Sequence, residues 1–161
     1  MGSRQERKLI EGAAPLLEPG EKALAAIVAA PRGHTQSIAG AAQVGATQQG
    51  RAAAGAEAAD LRLAAPMAVT ITNHRLLTLR IGTPIGLGIG GEVKKLLSAV
   101  PLAEVDSIDV TRLLLGKTIT LTVRGVAIKL EANAAAGADE LADAFRRAKA
   151  GSARGAPEAG P

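Results

Sequence analysis

The chain has no cysteine, no tryptophan and no tyrosine, and its single phenylalanine is Phe145. Without thiols there is no disulfide framework, no thiolate nucleophile and no cysteine-based zinc site. Without tryptophan and tyrosine the stacking platforms of single-strand nucleic-acid binders are missing, and the core must be built from Leu, Ile and Val. Histidine occurs only as His34 and His74. No carboxylates cluster around either in sequence, so neither a metal site nor a Ser-His-Asp triad finds its residues. No window approaches the roughly 18 apolar residues of a membrane-spanning helix. Residues 1–20 carry Arg4, Glu6, Arg7, Lys8 and Glu11 with no apolar block, unlike a secretory signal. A cytoplasmic protein is the expectation.

What is present fits one domain with tails, since 161 residues lie close to the usual domain size of about 100–150. The net charge is +4, and its placement says more than its size. Residues 1–31, 101–136 and 137–161 are each neutral, whereas 67–100 hold Arg75, Arg80, Lys94 and Lys95 against Glu92 alone. Four basic groups suit an acidic partner or an anionic lipid surface but fall short of the dense stripe that nucleic acid demands.

The dominant pattern is alternation. Met67, Val69 and Ile71 alternate with Ala68, Thr70 and Thr72; Asn73-His74 makes a tight turn; Leu77, Leu79 and Ile81 return. Asparagine tolerates positive φ, which suits a two-residue hairpin loop. Glu92 to Val100 is a further strand ended by Pro101, and the broken register between Val105 and Ile108 predicts a bulge. Ile119, Leu121 and Val123 alternate with threonines, and Gly125 turns the chain into Val126, Ile128 and Leu130. Ahead of this block, Glu21 to Ala30 forms a first strand. Behind it, Leu141, Ala144, Phe145 and Ala148 share one face of a helix over Ala138 to Lys149, with Phe145 expected to plug the open end of a small β-barrel.

Two segments stand apart. Ser3-Arg4-Gln5-Glu6 matches a capping box and predicts a short helix to about Gly12. Between Gly33 and Asp60 the residues are nearly all Ala, Gly, Gln, Thr and Ser, and Gly40, Gly45, Gly50 and Gly55 each cost a helix about 1 kcal/mol. That stretch is expected to be a solvated insertion. The domain plan is therefore a helical extension over 1–15, a domain over 16–150 with a low-complexity insertion over 33–60, and a disordered tail over 151–161.

The run Val69-Thr70-Ile71-Thr72-Asn73-His74-Arg75-Leu76-Leu77, an alternating strand followed by Thr-Asn, a basic residue and Arg-Leu-Leu, resembles an element of the bacterial pleckstrin-homology-like (PH-like) family. Val100-Pro101-Leu102-Ala103-Glu104-Val105-Asp106-Ser107-Ile108 resembles the same family's passage into its next strand. The resemblance covers about residues 16–150 outside the insertion. It implies a mainly β (α+β) fold: a two-sheet barrel of about seven antiparallel strands, capped by a C-terminal helix and here carrying the insertion after the first strand. It also implies a binding module for phosphoinositides, peptides or proteins. Lipid-binding relatives use clustered basic residues in the loop between the first two strands. That loop here has Arg32, His34, Arg51 and Arg62 without such clustering, so headgroup binding does not carry over, and fold alone does not confer function.

Gly86-Leu87-Gly88-Ile89-Gly90-Gly91 satisfies G-x-G-x-x-G after a strand. The receiving helix would have to be Glu92 to Val100, too short and followed by period-two sequence, so an interstrand loop is the better reading. Asp106 and Asp109 are three apart beside a strand, where solvated strand-end charges are the ordinary explanation. Nothing here supports an enzyme, a cofactor or a small-molecule substrate. The expected function is a non-enzymatic binding or adaptor module for a protein or peptide. Its candidate contacts are Arg32, His34, Arg75, Arg80, Lys94 and Lys95. The alternative is peripheral association with an anionic membrane through the basic hairpin and the Ala/Gly insertion, and self-association through strand edges stays open.

Overall fold

The computed structural model describes residues 4–32, 50–51, 54–82, 92–114, 116–133 and 137–155, the side chains of 152–155 excepted. The elements are α1 (Arg4–Ala13), β1 (Ala23–Pro31), β2 (Met67–Thr72), β3 (Arg75–Ile81), β4 (Val93–Pro101), β5 (Val105–Leu113), β6 (Gly116–Val123), β7 (Val126–Ala132) and α2 (Ala138–Gly155). Seven antiparallel strands form one sheet in the order β4-β3-β2-β1-β7-β6-β5. The mainly β fold with a C-terminal helix agrees with the sequence. The closed barrel does not appear: β4 and β5 end the sheet on opposite sides and do not pair. They are joined in sequence by a single 3-10 turn, Leu102–Glu104, whose Leu102 N–H donates to His74 O at 3.0 Å.

β1 holds the sheet together. Its residues from Ala23 to Ala29 pair with β2, and Ala30 and Pro31 pair with Glu131 and Leu130 of β7. The main core lies on the face covered by α2, where Leu141, Ala144, Phe145 and Ala148 meet Ile27, Val69, Ile71, Ile108, Leu121 and Ile128. Each fully buried Leu, Ile or Val side chain contributes on the order of 1.5–3 kcal/mol. With one aromatic in the chain, this aliphatic set carries the fold.

The opposite face of β1 to β3 is also buried. Leu9 and Ala13 of α1, four residues apart and so on one face of the helix, pack with Ala26, Ala68, Leu77, Leu79 and Ile81. All six residues of β2 are therefore buried. The small side chains of β1, five of whose nine residues are alanine, let α1 approach closely. α1 also comes close to β4, where a Cβ added at Gly12 would lie 2.9 Å from Val93 Cγ2.

The stretch expected to be solvated ends inside the core. Residues 54–58 are helical, and Ala56, Ala59 and Leu61 are buried in the main cluster. Arg62 then lies along β3 and β4, its carbonyl accepting from Thr78 Oγ1 at 2.8 Å and its N–H donating to Ser98 Oγ at 3.2 Å. Residues 33–49, 52–53 and 83–91 lie outside the described set, and with them most of the insertion and the glycine-rich motif. After that motif comes strand β4, where a nucleotide loop would need a helix. The final helix runs to Gly155, beyond the Lys149 boundary expected from its apolar face.

Candidate functional site

The sequence-derived basic residues separate into two groups. Arg75 is committed to structure: its Nε donates to Glu21 Oε2 at 2.9 Å and its Nη2 to Glu21 Oε1 at 2.6 Å, with Glu18 3.5 Å from Nη1. Thr72 Oγ1 donates to Glu21 Oε2 at 2.7 Å and accepts from the N–H groups of His74 and Arg75. Asn73 completes the knot, its Oδ1 accepting from Lys22 N and its Nδ2 donating to Gly20 O. The Thr-Asn-His-Arg run is thus a device that fastens the segment before β1 to the β2–β3 turn. Hydrogen bonding from Arg75 is the largest influence on Glu21, and it outweighs burial and lowers the carboxyl pKa to about 2.

Arg80, Lys94 and Lys95 are exposed, and Arg80 and Lys95 stand opposite each other on β3 and β4. Like charges so placed repel, and neither has an ionic partner among the described residues. Lys94 lies 3.6 Å from Glu92, an exposed pair of little energetic weight. Arg32 is half-buried just past β1, its N–H donating to Lys129 O at 3.1 Å. His34 lies outside the described residues. The five described residues therefore do not form one cluster: Arg80 and Lys95 are brought together, and Arg75 is withdrawn into an ion pair.

The sheet order exposes a different feature. An open sheet has two edges with unpaired backbone groups, and edges invite strand addition unless guarded. β4 is guarded: its register with β3 shifts twice, between Thr78 and Leu79 and between Arg80 and Ile81, and it carries Lys94 and Lys95. β5 shifts only between Val105 and Ser107, at the bulge expected from sequence, and then runs in unbroken register from Ser107 to Leu113. The ladder ends with Leu113 paired with Gly116. The alternation of an antiparallel ladder then turns the backbone groups of Ile108, Val110 and Arg112 away from β6.

Beside this edge runs a groove of about 440 Å³ between β5 and α2, lined by Asp106 to Asp109 on the strand side and by Phe145, Arg146, Lys149 and Ala150 on the helix side. Ile108 and Phe145 make it apolar below. Lys149 crosses one end, its Nζ donating to Val105 O and lying 5.5 Å from the centre of the Phe145 ring. Its walls differ in sign, with acids on the strand and bases on the helix. Arg146 is paired with Asp143 at 2.7 Å, and Asp106 accepts from Gly125 N at 2.8 Å, while Asp109 has no partner among the described residues.

The strand end of the groove is held rigidly. The β6–β7 turn places Arg124 at φ 50° and Gly125 at φ 79°, the double positive φ of a tight hairpin. Arg124 spans Glu104 with Nε at 3.1 Å and Nη2 at 3.0 Å, and its Nη1 donates to Ala59 O at 2.6 Å. Sequence reasoning singled out Phe145, Asp106 and Asp109 but gave them no joint role, because which strand is an edge depends on the pairing order of the whole sheet. Among the described residues no three His, Asp or Glu side chains are grouped to hold a metal ion, and no helix is long and apolar enough to cross a membrane. Compared with known protein families and with curated proteins, the chain matches none.

Proposed function

We propose that this protein is a non-enzymatic binding module of PH-like type that takes an extended segment of a protein or peptide partner as an added strand on β5. The observation that carries the reading is the edge of β5, in unbroken register with β6 from Ser107 to Leu113, over the apolar groove against α2. Strand addition derives affinity from main-chain hydrogen bonds and specificity from the pockets that alternate side chains enter. Here Ile108, Val110 and Arg112 offer the main-chain groups, and the Ile108–Phe145 floor offers the pocket. The PH-like assignment is supported by the residue patterns around Thr72 and Pro101, by the seven antiparallel strands and by the helix packed across them.

Selection of a random peptide library on the full chain tests the proposal. Selected peptides are expected to alternate apolar and polar residues and to lose binding to Val110→Pro, which removes an edge N–H, and to Phe145→Ser. Selection of no peptide, or of binders indifferent to Val110→Pro while circular dichroism shows the variant folded, would overturn it.

A second reading rests on Arg80 and Lys95, which face each other on β3 and β4 and have no ionic partner among the described residues. Such a pair is relieved by an anionic surface, which favours weak association with acidic lipid. Sedimentation with phosphatidylserine vesicles at low salt is expected to retain the protein and to lose it with Arg80→Glu. Equal retention of that variant would remove the reading.

A further inference from the structure

The two helices that cover the sheet are held by very different means. α2 buries Ala138, Leu141, Ala142, Ala144, Phe145 and Ala148. It also carries Asp139 and Glu140 in its first turn, where the helix dipole favours acids. α1 has ten residues and buries only Leu9 and Ala13. Its charges oppose the dipole. Arg4, Arg7 and Lys8 stand towards the positive end with Glu6 as the one acid of the first turn, and the last turn holds Glu11 and no base. Gly12 weakens that last turn further. Helices shorter than about 12–15 residues are marginal alone in water, so α1 depends on its seat on the sheet.

That seat is an apolar cluster of its own. Leu9 and Ala13 cover the face of β1 to β3 formed by Ala26, Ala68, Leu77 and Leu79, and the partly buried Leu16 and Leu17 extend the same contact. None of these side chains belongs to the main core beneath α2. Polar fastening begins just beyond them, at Glu18, whose N–H donates to Glu21 Oε1 at 2.9 Å. From there Gly20, Glu21 and Lys22 are tied to Thr72, Asn73 and Arg75. The entry into β1 is thus secured by bonds in which α1 takes no part.

From this we infer that residues 4–17 form a strap that opens as one unit, baring the apolar outer face of β1 to β3 while the seven-stranded sheet and the knot at Glu21 stay intact. Local opening is drawn from elements with few buried apolar contacts, and α1 is such an element. The knot is the stop: it confines the opening to the chain ahead of Glu18. Gly12 is the sensitive point, because a Cβ there would meet Val93 Cγ2 at 2.9 Å and Cβ at 3.0 Å. Val93 is paired with Ile81 in the β3–β4 ladder, so a larger side chain at position 12 displaces the helix. A contiguous apolar face set free in this way is a surface for apolar ligands, available in the open form and covered in the closed one.

Hydrogen exchange of the full chain across a urea series is the test. The amides of residues 8–13 bond within α1. Their protection is expected to be at least about tenfold lower than that of β2 and β6, with a much shallower dependence on urea. Gly12→Val is expected to remove most of that protection and to raise the fluorescence of anilinonaphthalene sulfonate, with the β6 amides still protected. Leu9→Ala, which removes an anchor without a clash, should act in the same direction. Protection of α1 equal to that of β2, with the same urea dependence, would overturn the inference by making α1 part of the global unit. So would variants in which β6 loses its protection together with α1, or in which α1 is lost and no dye binds.

Discussion

Arg75 closes on Glu21 with two arms of its guanidinium, at 2.9 and 2.6 Å, and the Glu21 side chain is wholly buried beneath it. The pair joins positions 54 apart in the chain, and Thr72 and Asn73 tie the same two segments through neighbouring atoms. Removing one partner of a buried pair leaves the other charge uncompensated, which costs about 3–5 kcal/mol. Glu21→Ala is expected to lower the free energy of urea unfolding by that amount, with Arg75→Ala similar and the double variant less than additive. Independent additivity in the cycle would contradict the coupling.

The same pair sets an acid limit. Because the folded pKa of Glu21 lies near 2, below its ordinary value of 4.5, the pair contributes fully above the ordinary value and is lost as pH falls through the folded one. Stability is expected to decline between about pH 4.5 and 2, with Glu21 accounting for roughly 2–3 kcal/mol of the loss. In Glu21→Gln the slope of unfolding free energy against pH over this window should flatten, and an unchanged slope would assign the acid sensitivity elsewhere.

Thr70 of β2 is wholly buried and its hydroxyl finds no hydrogen-bond partner among the described residues. An unpaired buried hydroxyl costs about 1–3 kcal/mol. Thr70→Val keeps the shape and removes the oxygen, so the unfolding midpoint should rise, with a gain of about 1 kcal/mol. A lower midpoint would show that the hydroxyl is satisfied.

Gly116 opens β6 where the end of β7 passes closest: a Cβ there would lie 2.8 Å from Ala132 O. Backbone cannot move aside as a side-chain tip can. Gly116→Ala is expected to cost about 1–3 kcal/mol by thermal unfolding, whereas Gly151→Ala, with nothing near its added carbon, should be neutral or stabilising.

Two neighbouring alanines separate the buried end of the Ala-rich stretch from its surface. Ala59 is fully buried in the main core and Ala58 is exposed. Ala59→Asp should lose several kcal/mol, on the order of 3 or more, by burying an unpaired carboxylate. Ala58→Asp should stay within about 0.5 kcal/mol. Equal effects in urea unfolding would place both on one kind of surface.

The strands were legible because a sheet with one solvated face writes its period into the chain, and Ile119-Thr120-Leu121-Thr122-Val123 does so plainly. The bulge after Val105 was legible for the same reason, as a skipped beat. The burial of Ala56 and Ala59 was not, since alanine is equally at home in core, helix and loop. The double burial of β2 was obscured by Thr70 and Thr72, polar residues on a face that α1 and the Glu21 knot enclose. Arg75 showed its charge but not its partner, because Glu21 lies a whole insertion away in sequence. The β5 groove was hidden for a topological reason: its strand wall and helix wall are more than thirty positions apart, and only the pairing order makes β5 an edge.

β1 is joined to β7 by just two residue pairs, Ala30 with Glu131 and Pro31 with Leu130, and by the bond from Arg32 N to Lys129 O. Its partnership with β2 is three times as long. That short seam is a line of mechanical weakness, and α2 lies across it like a clasp, with Phe145 and Leu141 gripping both halves of the sheet. Its release would let β5 to β7 swing away as one flap while β1 to β4 stay pinned beneath α1.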